Sequence, residues 1–444
     1  MRLSQKVFEA YRTHIECEGE SNRAGALAVA NAMEHSPLNR DGVLEKTVHI
    51  PKVFDAVDVH RFENIVQTST RIFEKVIAAY RADETVRALF GFSKELEELI
   101  LLPARYACEL PMARMDIFYE QESGAFEFCE INTDGAAAMF RDLELRKALV
   151  HNPAHQAVMR QFKLEPFELF DTWVECFMKL YQSYPKHVET PTVAIADFLD
   201  NATLSDFEEF ERRFQAAGIA CAICDVRELR YQNGSLYSAK GERIDAVYRR
   251  AVTGDVMAHY DEVQDFLQAV KEDAVFVAGS FATQVIHNKW LFYVLHHPYA
   301  ATFLNEEELA FVKAHVPQTI EFSAKYISLE TVRKNKDEYI LKPMDAYASK
   351  GVYAAGRECT PEKWEHITAQ LYESSYICQK YCKQYMSDNI DYAWGDGKWH
   401  PYMNMPGLYA YGGKFSGVLM RMACEENIIV AHKNERTAAV FKVH

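Results

Sequence analysis

The side chains able to do chemistry concentrate first between Arg114 and Asn132. There Arg-Met-Asp-Ile-Phe-Tyr, a short polar turn and Phe-Glu-Phe-Cys-Glu-Ile-Asn follow one another. Both halves alternate with period two and meet at Glu122-Ser123-Gly124, whose glycine can take a left-handed position, so a hairpin is predicted. With the hairpin centred on Ser123, Asp116 faces Glu130 and Arg114 faces Asn132, and directly opposed residues point to one face. Two carboxylates, an amide and a guanidinium then converge. Their oxygens are hard ligands suited to Mg2+, and an arginine fork matches a pair of phosphoryl oxygens. The alternative is a solvated, salt-bridged strand face, where each ion pair is worth only ~0–1 kcal/mol. Phe118 and Phe128 are expected on the same face, which argues for a partly dry cleft.

A second set lies in the final third. Glu338-Tyr-Ile-Leu-Lys-Pro-Met-Asp reads as a strand that holds Lys342 among apolar residues and runs into Tyr347-Ala-Ser-Lys-Gly-Val-Tyr. Small residues around Lys350 and Gly351 can cover phosphates with backbone amides and one point charge, although lysine-flanked turns also occur with no such role. No Walker Gly-x-x-x-x-Gly-Lys is present, so a phosphate site here has to be of the lysine-on-strand kind. Tyr376-Ile-Cys-Gln-Lys-Tyr381 reads as a strand whose exposed backbone could pair with an adenine edge. Gly407 to Arg421 reads as a hairpin through Gly412-Gly413, and Arg421 is either a second phosphate contact or a structural ion pair.

The elements that position these residues follow from periodicity. The first hundred residues read as helix, with Val57 to Tyr80 a long amphipathic run, and nothing in them looks catalytic. After the hairpin come the small residues Gly135-Ala-Ala-Ala, which allow close approach of a substrate, and helices over Asp142–Val150 and Phe167–Tyr184. His151 and His155 are four apart, but Pro153 interrupts them and no further ligand type accompanies them, so two exposed histidines are expected. Thr192–Ala196, a helix over Ser205–Gly218 and Ile219–Val226 form a βαβ unit, which implies a parallel sheet. It lacks Gly-x-Gly-x-x-Gly, so no dinucleotide site is inferred. Ile244 to Arg250 is a strand ending in two arginines; Arg249 or Arg250 holds an anionic substrate group or forms a surface pair. Cys221 and Cys224 have redox spacing, but on a strand they point to opposite faces and read as core packing.

At 444 residues the chain can bury a large core in two to four structural units. A formal charge of -15, with both signs mixed along the chain, argues against nucleic-acid and anionic-membrane partners. No apolar run is long enough to span a bilayer and Met1-Arg-Leu-Ser opens no signal peptide, so a cytoplasmic location is expected. The ten cysteines are scattered and read as reduced thiols. The sequence leaves oligomerisation open.

The Arg-x-Asp and Glu-x-Asn pair, followed much later by Asn288-Lys289, Leu341-Lys-Pro and Gln379, resembles the synthetase domain of glutathionylspermidine synthases and their circularly permuted ATP-grasp relatives. The match is scattered over roughly residues 110 to 444, and it is carried by the order of motifs: the carboxylate motif first, the lysines after. The resemblance implies an α/β (α+β) fold, a circularly permuted ATP-grasp with a βαβ domain of the pre-ATP-grasp kind. On that reading 1–105 is a helical N-terminal segment and 106–188 the magnesium hairpin with its helices. Residues 189–278 are the substrate-side βαβ domain and 279–444 the ATP-binding part. It further implies that Asp116, Glu130 and Asn132 hold Mg2+ and that Arg114 stabilises the transferring phosphoryl group. Lys289 and Lys342 hold the ATP phosphates, and Gln379, Lys380 and Tyr381 line the adenine pocket. The implied activity is ATP-dependent ligation of a carboxylate to an amine through an acyl phosphate, releasing ADP. A small-molecule kinase and a non-catalytic nucleotide-binding scaffold are the alternatives. The chain departs from the family at three points. It has no separate amidase half, so ligation alone is expected. The family's loop arginine is missing, with Lys350 the candidate substitute. Gly135-Ala-Ala-Ala stands where hydroxyl residues would meet the glutathione backbone, so glutathione is not the expected substrate.

Overall fold

The computed structural model describes residues 1–40, 44–344, 351–354, 359–382, 384–424, 429–430 and 433–444. The chain opens with helices α1 (Leu3–Cys17), α2 (Gly19–Glu34) and α3 (Pro37–Arg40), a short strand β1 (Lys52–Asp55) and the long helix α4 (Ala56–Ala82). The sequence pattern gave this segment as helix throughout; β1 is the exception, because its partner lies at the other end of the chain. Asp55 caps α4, its side chain accepting from the backbone N–H groups of Val57 and Asp58, with Asp58 reaching back in a capping box. Phe62, Ile65, Val66, Phe73, Val76, Ile77 and Tyr80 form its buried stripe.

That stripe packs on the largest sheet. Strands β2 (Met112–Tyr119) and β3 (Phe126–Asn132) form the predicted hairpin, and Gly124 in its turn has φ +80°. Arg114 pairs with Asn132 and Asp116 with Glu130, but the register shifts beyond Asp116, so Ile117 opposes Phe128 and Phe118 opposes Glu127. The bulged residue is Cys129. This overturns one expectation: Phe128 points with Ile117 into the core, against Phe292 and Phe311, and Phe118 alone of the two rings stays on the face of Asp116.

Strand β4 (Leu164–Pro166) follows, and then a parallel sheet begins with β5 (Thr192–Asp197) and β6 (Ala220–Asp225), joined by the helix Leu204–Ala216. A small antiparallel sheet, β7 (Arg230–Gln232), β8 (Ser235–Tyr237) and β9 (Arg243–Ile244), turns through Asn233 and Gly234, both at positive φ. Strands β10 (Ala246–Arg249) and β11 (Phe276–Ala278) complete the parallel sheet in the order β11-β10-β5-β6, which puts a topological switch point between β5 and β10. Cys221 and Cys224 lie in different hydrophobic clusters on its two sides, and burial pushes both thiols up.

Strands β12 (Thr319–Glu321), β13 (Tyr339–Pro343), β14 (Tyr353–Ala354) and β15 (Tyr376–Lys380) form a small antiparallel sheet in the order β12-β15-β13-β14. The chain then returns to the large sheet with β16 (Met386–Ile390), β17 (Trp399–Tyr411), β18 (Lys414–Ala423) and β19 (Arg436–Ala438), giving the order β19-β18-β17-β2-β3 with β16 also on β17. Finally β20 (Val440–Val443) pairs with β1 and β4.

His155 departs from expectation. It is buried, its Nδ1 2.7 Å from the Tyr11 hydroxyl, and burial pulls its pKa down to about 4. Among the described residues no helix is long and apolar enough to cross a membrane.

Candidate active site

Strand alternation and α4 together build the site. The odd residues Met115, Ile117 and Tyr119 of β2 face the core under α4, so the even residues Arg114, Asp116 and Phe118 face the other way. Asp116 is wholly buried. Arg114 clamps it with two bonds, Nε to Oδ1 at 2.8 Å and Nη2 to Oδ2 at 3.1 Å, and Asn132 Nδ2 donates to Oδ2 at 2.9 Å. Arg421, two strands away on β18, forms an ion pair through Nη2 with the same Oδ2. It reaches Asp116 across β17 because Gly407 stands between: a Cβ there would lie 2.5 Å from Asp116 Oδ1 and 2.9 Å from Arg114 Cδ. Asp116 thus serves two arginines and an amide at once.

Glu130 differs from its strand partner. It lines a cleft between the hairpin and the small antiparallel sheet, together with Lys289, Lys342 and Arg421. Burial works to protonate Glu130, but Lys289, Arg421, Lys342 and Arg114 overcome it and hold the carboxyl down at about 2. Lys342, on β13, is buried and donates from Nζ to the carbonyl of the bulged Cys129 at 3.2 Å. The bulge therefore supplies the acceptor that holds the lysine at the cleft wall. Ile340, Val352, Met405, Ile429 and Phe118 give the cleft its apolar surface. Its volume is about 70 Å3.

The remaining sequence candidates divide. Gln379, Lys380 and Tyr381 line the cleft. Gln379 is buried and its Nε2 donates to Thr319 Oγ1 at 2.8 Å. The exposed backbone expected for this strand is not found, because β15 is an inner strand paired with both β12 and β13. The N–H groups of Lys380 and Tyr381 donate to the carbonyls of Gln318 and Glu338. Gly351 has φ +69°, and a Cβ there would meet the Tyr376 hydroxyl at 2.7 Å. Lys350 lies outside the described residues.

Arg249 and Arg250 fit neither sequence reading. They are buried at the switch point. Arg249 Nη2 pairs with Asp134 Oδ1 at 2.6 Å, and its other donors reach the carbonyls of Gly279 and Ala251. Arg250 donates to the Ala136 carbonyl and to the Tyr248 hydroxyl and lies over the Phe207 ring. Sequence reasoning missed Asp134, Cys129 and Met405, which no local pattern marks.

The donor set at the hairpin suits magnesium in kind but not in full. Glu130 faces the cleft and Asn132 lies beside it, half-buried, while every contact of Asp116 is taken by an arginine or an amide. Among the described residues no three His, Cys, Asp or Glu side chains form a metal-binding group.

The chain matches no protein-family model, and no curated protein matches it. It is similar in structure to a glutathione synthetase-like effector from Globodera pallida in its apo form, with a TM-score of 0.59 and 10% identity over 94% of this chain and 96% of that one. A carboxyaminoimidazole ribonucleotide synthase from Aspergillus clavatus, solved with ATP, aligns at a TM-score of 0.25 and 12% identity over 57% of this chain and 71% of that one, too distant to carry an argument. The fold is therefore α/β of the ATP-grasp type, with the carboxylate hairpin before the lysine strand in the chain.

Proposed function

We propose that the chain is an ATP-dependent, ADP-forming ligase that joins a carboxylate to an amine. The observation that carries this reading is the charge of the cleft. Among the described residues Lys289, Lys342, Lys380 and Arg421 line it against a single carboxylate, Glu130, while Arg114 and Asp116 neutralise each other behind it. A cleft lined by more cations than carboxylates and by an apolar wall is complementary to a nucleotide phosphate chain neutralised in part by a divalent ion.

In this reading Lys289 and Lys342 hold the phosphates and Arg421 faces the phosphoryl group as charge develops on it, while Arg114, its donors given to Asp116 and the Ala137 carbonyl, acts from behind through Asp116. Glu130 and Asn132 are the residues that would hold magnesium, which when bound neutralises phosphate charge. Gln379, Lys380 and Tyr381 bound the base. The phosphoryl group passes to the substrate carboxylate, whose oxygen forms the new P–O bond as ADP leaves. The amine then attacks the acyl carbon and phosphate departs, leaving the amide. A cleft of about 70 Å3 has to widen to admit a nucleotide, and closure around the ligand would exclude the water that would hydrolyse the acyl phosphate. Glutathione is not the proposed carboxylate. The Cβ position of Gly135 is filled by Val252 Cγ1 at 2.8 Å and the Arg250 carbonyl at 2.9 Å, and no hydroxyl follows it through Ala138.

The test is ADP release from Mg-ATP with pooled amino acids, small peptides and polyamines, with mass spectrometry of the products and Glu130→Gln as the blank. The expected outcome is ADP together with a new amide mass, reduced roughly 100-fold or more in the variant. A phosphorylated product without an amide would replace the ligase by a kinase, and bound ATP with no turnover from any pool would favour a scaffold.

A further inference from the structure

Beneath the other face of strands β2 and β17 lies a second cavity, of about 590 Å3. The strands divide the two spaces residue by residue. On β2, Phe118 lines the cleft and Tyr119 the cavity; on β17, Met405 lines the cleft and Asn404 the cavity. Helix α1, the start of β1, the hairpin turn and β16 close the remaining sides. The volume falls in the range of small-molecule sites.

Charges around the cavity are unequally committed. Arg2 pairs with Asp55 and Asp58, and Arg12 with Asp388 at 2.9 Å. Lys52 is the exception. It lines the cavity, half-buried, and its ammonium makes no hydrogen bond or ion pair with a described residue. Asp58 acts on it through space, but the oxygens of Asp58 already accept from Tyr119 Oη, Gln121 Nε2 and Arg2 Nη2. Burial pulls the Lys52 pKa down to about 8, with Asp58 opposing. A half-buried ammonium at the cavity wall with no ion pair is a ready partner for the carboxylate of an entering anion. The rings of Phe8, Tyr119 and Tyr385 and the side chain of Met386 offer apolar surface nearby, while Glu9, Glu120, Glu122 and Asp388 repel a polyanion.

We propose that this cavity is a second ligand site, separate from the cleft, for a small organic monocarboxylate with an apolar or aromatic body, and that Lys52 holds its carboxylate. The site needs no assumption about the reaction in the cleft.

The test is calorimetric titration of the full chain with 4-phenylbutyrate and its neutral amide, using wild type, Lys52→Met and Lys52→Arg. Wild type is expected to bind the carboxylate roughly tenfold or more tightly than the amide. Lys52→Met removes that preference and melts no lower than wild type, because it deletes an unpaired charge, and Lys52→Arg retains the preference. In wild type the preference declines as pH rises through about 8, where Lys52 loses its proton. The other charged and titratable groups around Lys52 are Asp58, Glu9, Glu120, Glu122, Asp388, Arg2 and Arg12, and burial pushes the hydroxyls of Tyr11, Tyr119 and Tyr385 up, away from that range. Glu130→Gln leaves the titration unchanged, which separates this site from the cleft. Equal affinity for the two probes in wild type, absence of binding by either, or a preference that survives in Lys52→Met would each overturn the proposal.

Discussion

Two buried charge clusters flank the segment from Arg114 to Gly135, and they use the same residue types for different ends. At the switch point Arg249 and Arg250 spend their donors on Asp134, backbone carbonyls and a tyrosine hydroxyl. At the cleft Lys289, Lys342, Lys380 and Arg421 outnumber the one carboxylate of the described residues that faces the space. The acids differ within the switch point as well. Glu130 is held at about 2 by the surrounding cations and Arg249 likewise holds Asp134 below the usual carboxylate range, whereas burial outweighs Arg250 and Arg249 at Asp197 and raises it to about 6. Charge at the switch point is thus answered by named partners, and on the proposed reading the excess of cations at the cleft is what binds a ligand.

The comparison breaks most sharply if one cation is removed from each cluster. Arg249→Met removes the cation paired with buried Asp134 and leaves it Thr253 and the more distant His287, and breaking a buried ion pair from one side costs about 3–5 kcal/mol. A large fall in denaturation midpoint is expected, measured by urea unfolding at neutral pH. An unchanged midpoint would mean that the switch-point pair is not structural.

The matching change at the cleft is Lys342→Met. It deletes a cation from a site that has too many and loses one hydrogen bond, to the Cys129 carbonyl, so stability is expected to stay within about 1 kcal/mol of wild type. ATP affinity is expected to fall roughly tenfold or more, since a charge-assisted phosphate contact is worth about 1.5–3 kcal/mol. Titration with ATP checks this directly. A variant that unfolds easily yet binds ATP normally would exchange the roles of the two clusters.

How far the sequence reveals this contrast depends on the range of the contacts. The hairpin itself is legible because a polar turn and alternation are local, but next to the turn Tyr119 faces Phe126, so the pairings of Asp116 with Glu130 and Arg114 with Asn132 are reached only through the register shift. The bulge at Cys129 carries no composition signal, so the placement of Phe128 and the lysine acceptor were not legible. Nothing near Asp134 announces Arg249, and nothing near His155 announces Tyr11, 144 residues away. Strand β1 looked like part of a helical region because its pairing to β20 joins Lys52 to Val440. The order of motifs, in contrast, needs no knowledge of contacts: the carboxylate hairpin stands before the lysine strand in the sequence as in the fold.

The smallest effect concerns the pH dependence of the switch point. Asp197 has a folded pKa of about 6 against an unfolded value near 3.9, so between those values the folded state binds more protons than the unfolded one. Its contribution to stability is therefore greatest below about pH 4 and is lost as pH rises through 6. Glu130 has the opposite sign. Its folded pKa of about 2 lies below the unfolded value, so its contribution is complete above about pH 4.3 and is lost only as pH falls towards 2. Asp197→Asn should consequently melt higher than wild type at pH 8 and no higher at pH 4, because an amide needs no proton to be neutral. Since Asp197 is partly exposed, water screens the penalty and the gain is expected to be a few degrees at most. Melting curves of both proteins at the two pH values measure it. A gain that is the same at pH 4 and pH 8 would show that Asp197 is ionised throughout, as Glu130 is, and the electrostatic distinction between the two clusters would then rest on their cations alone.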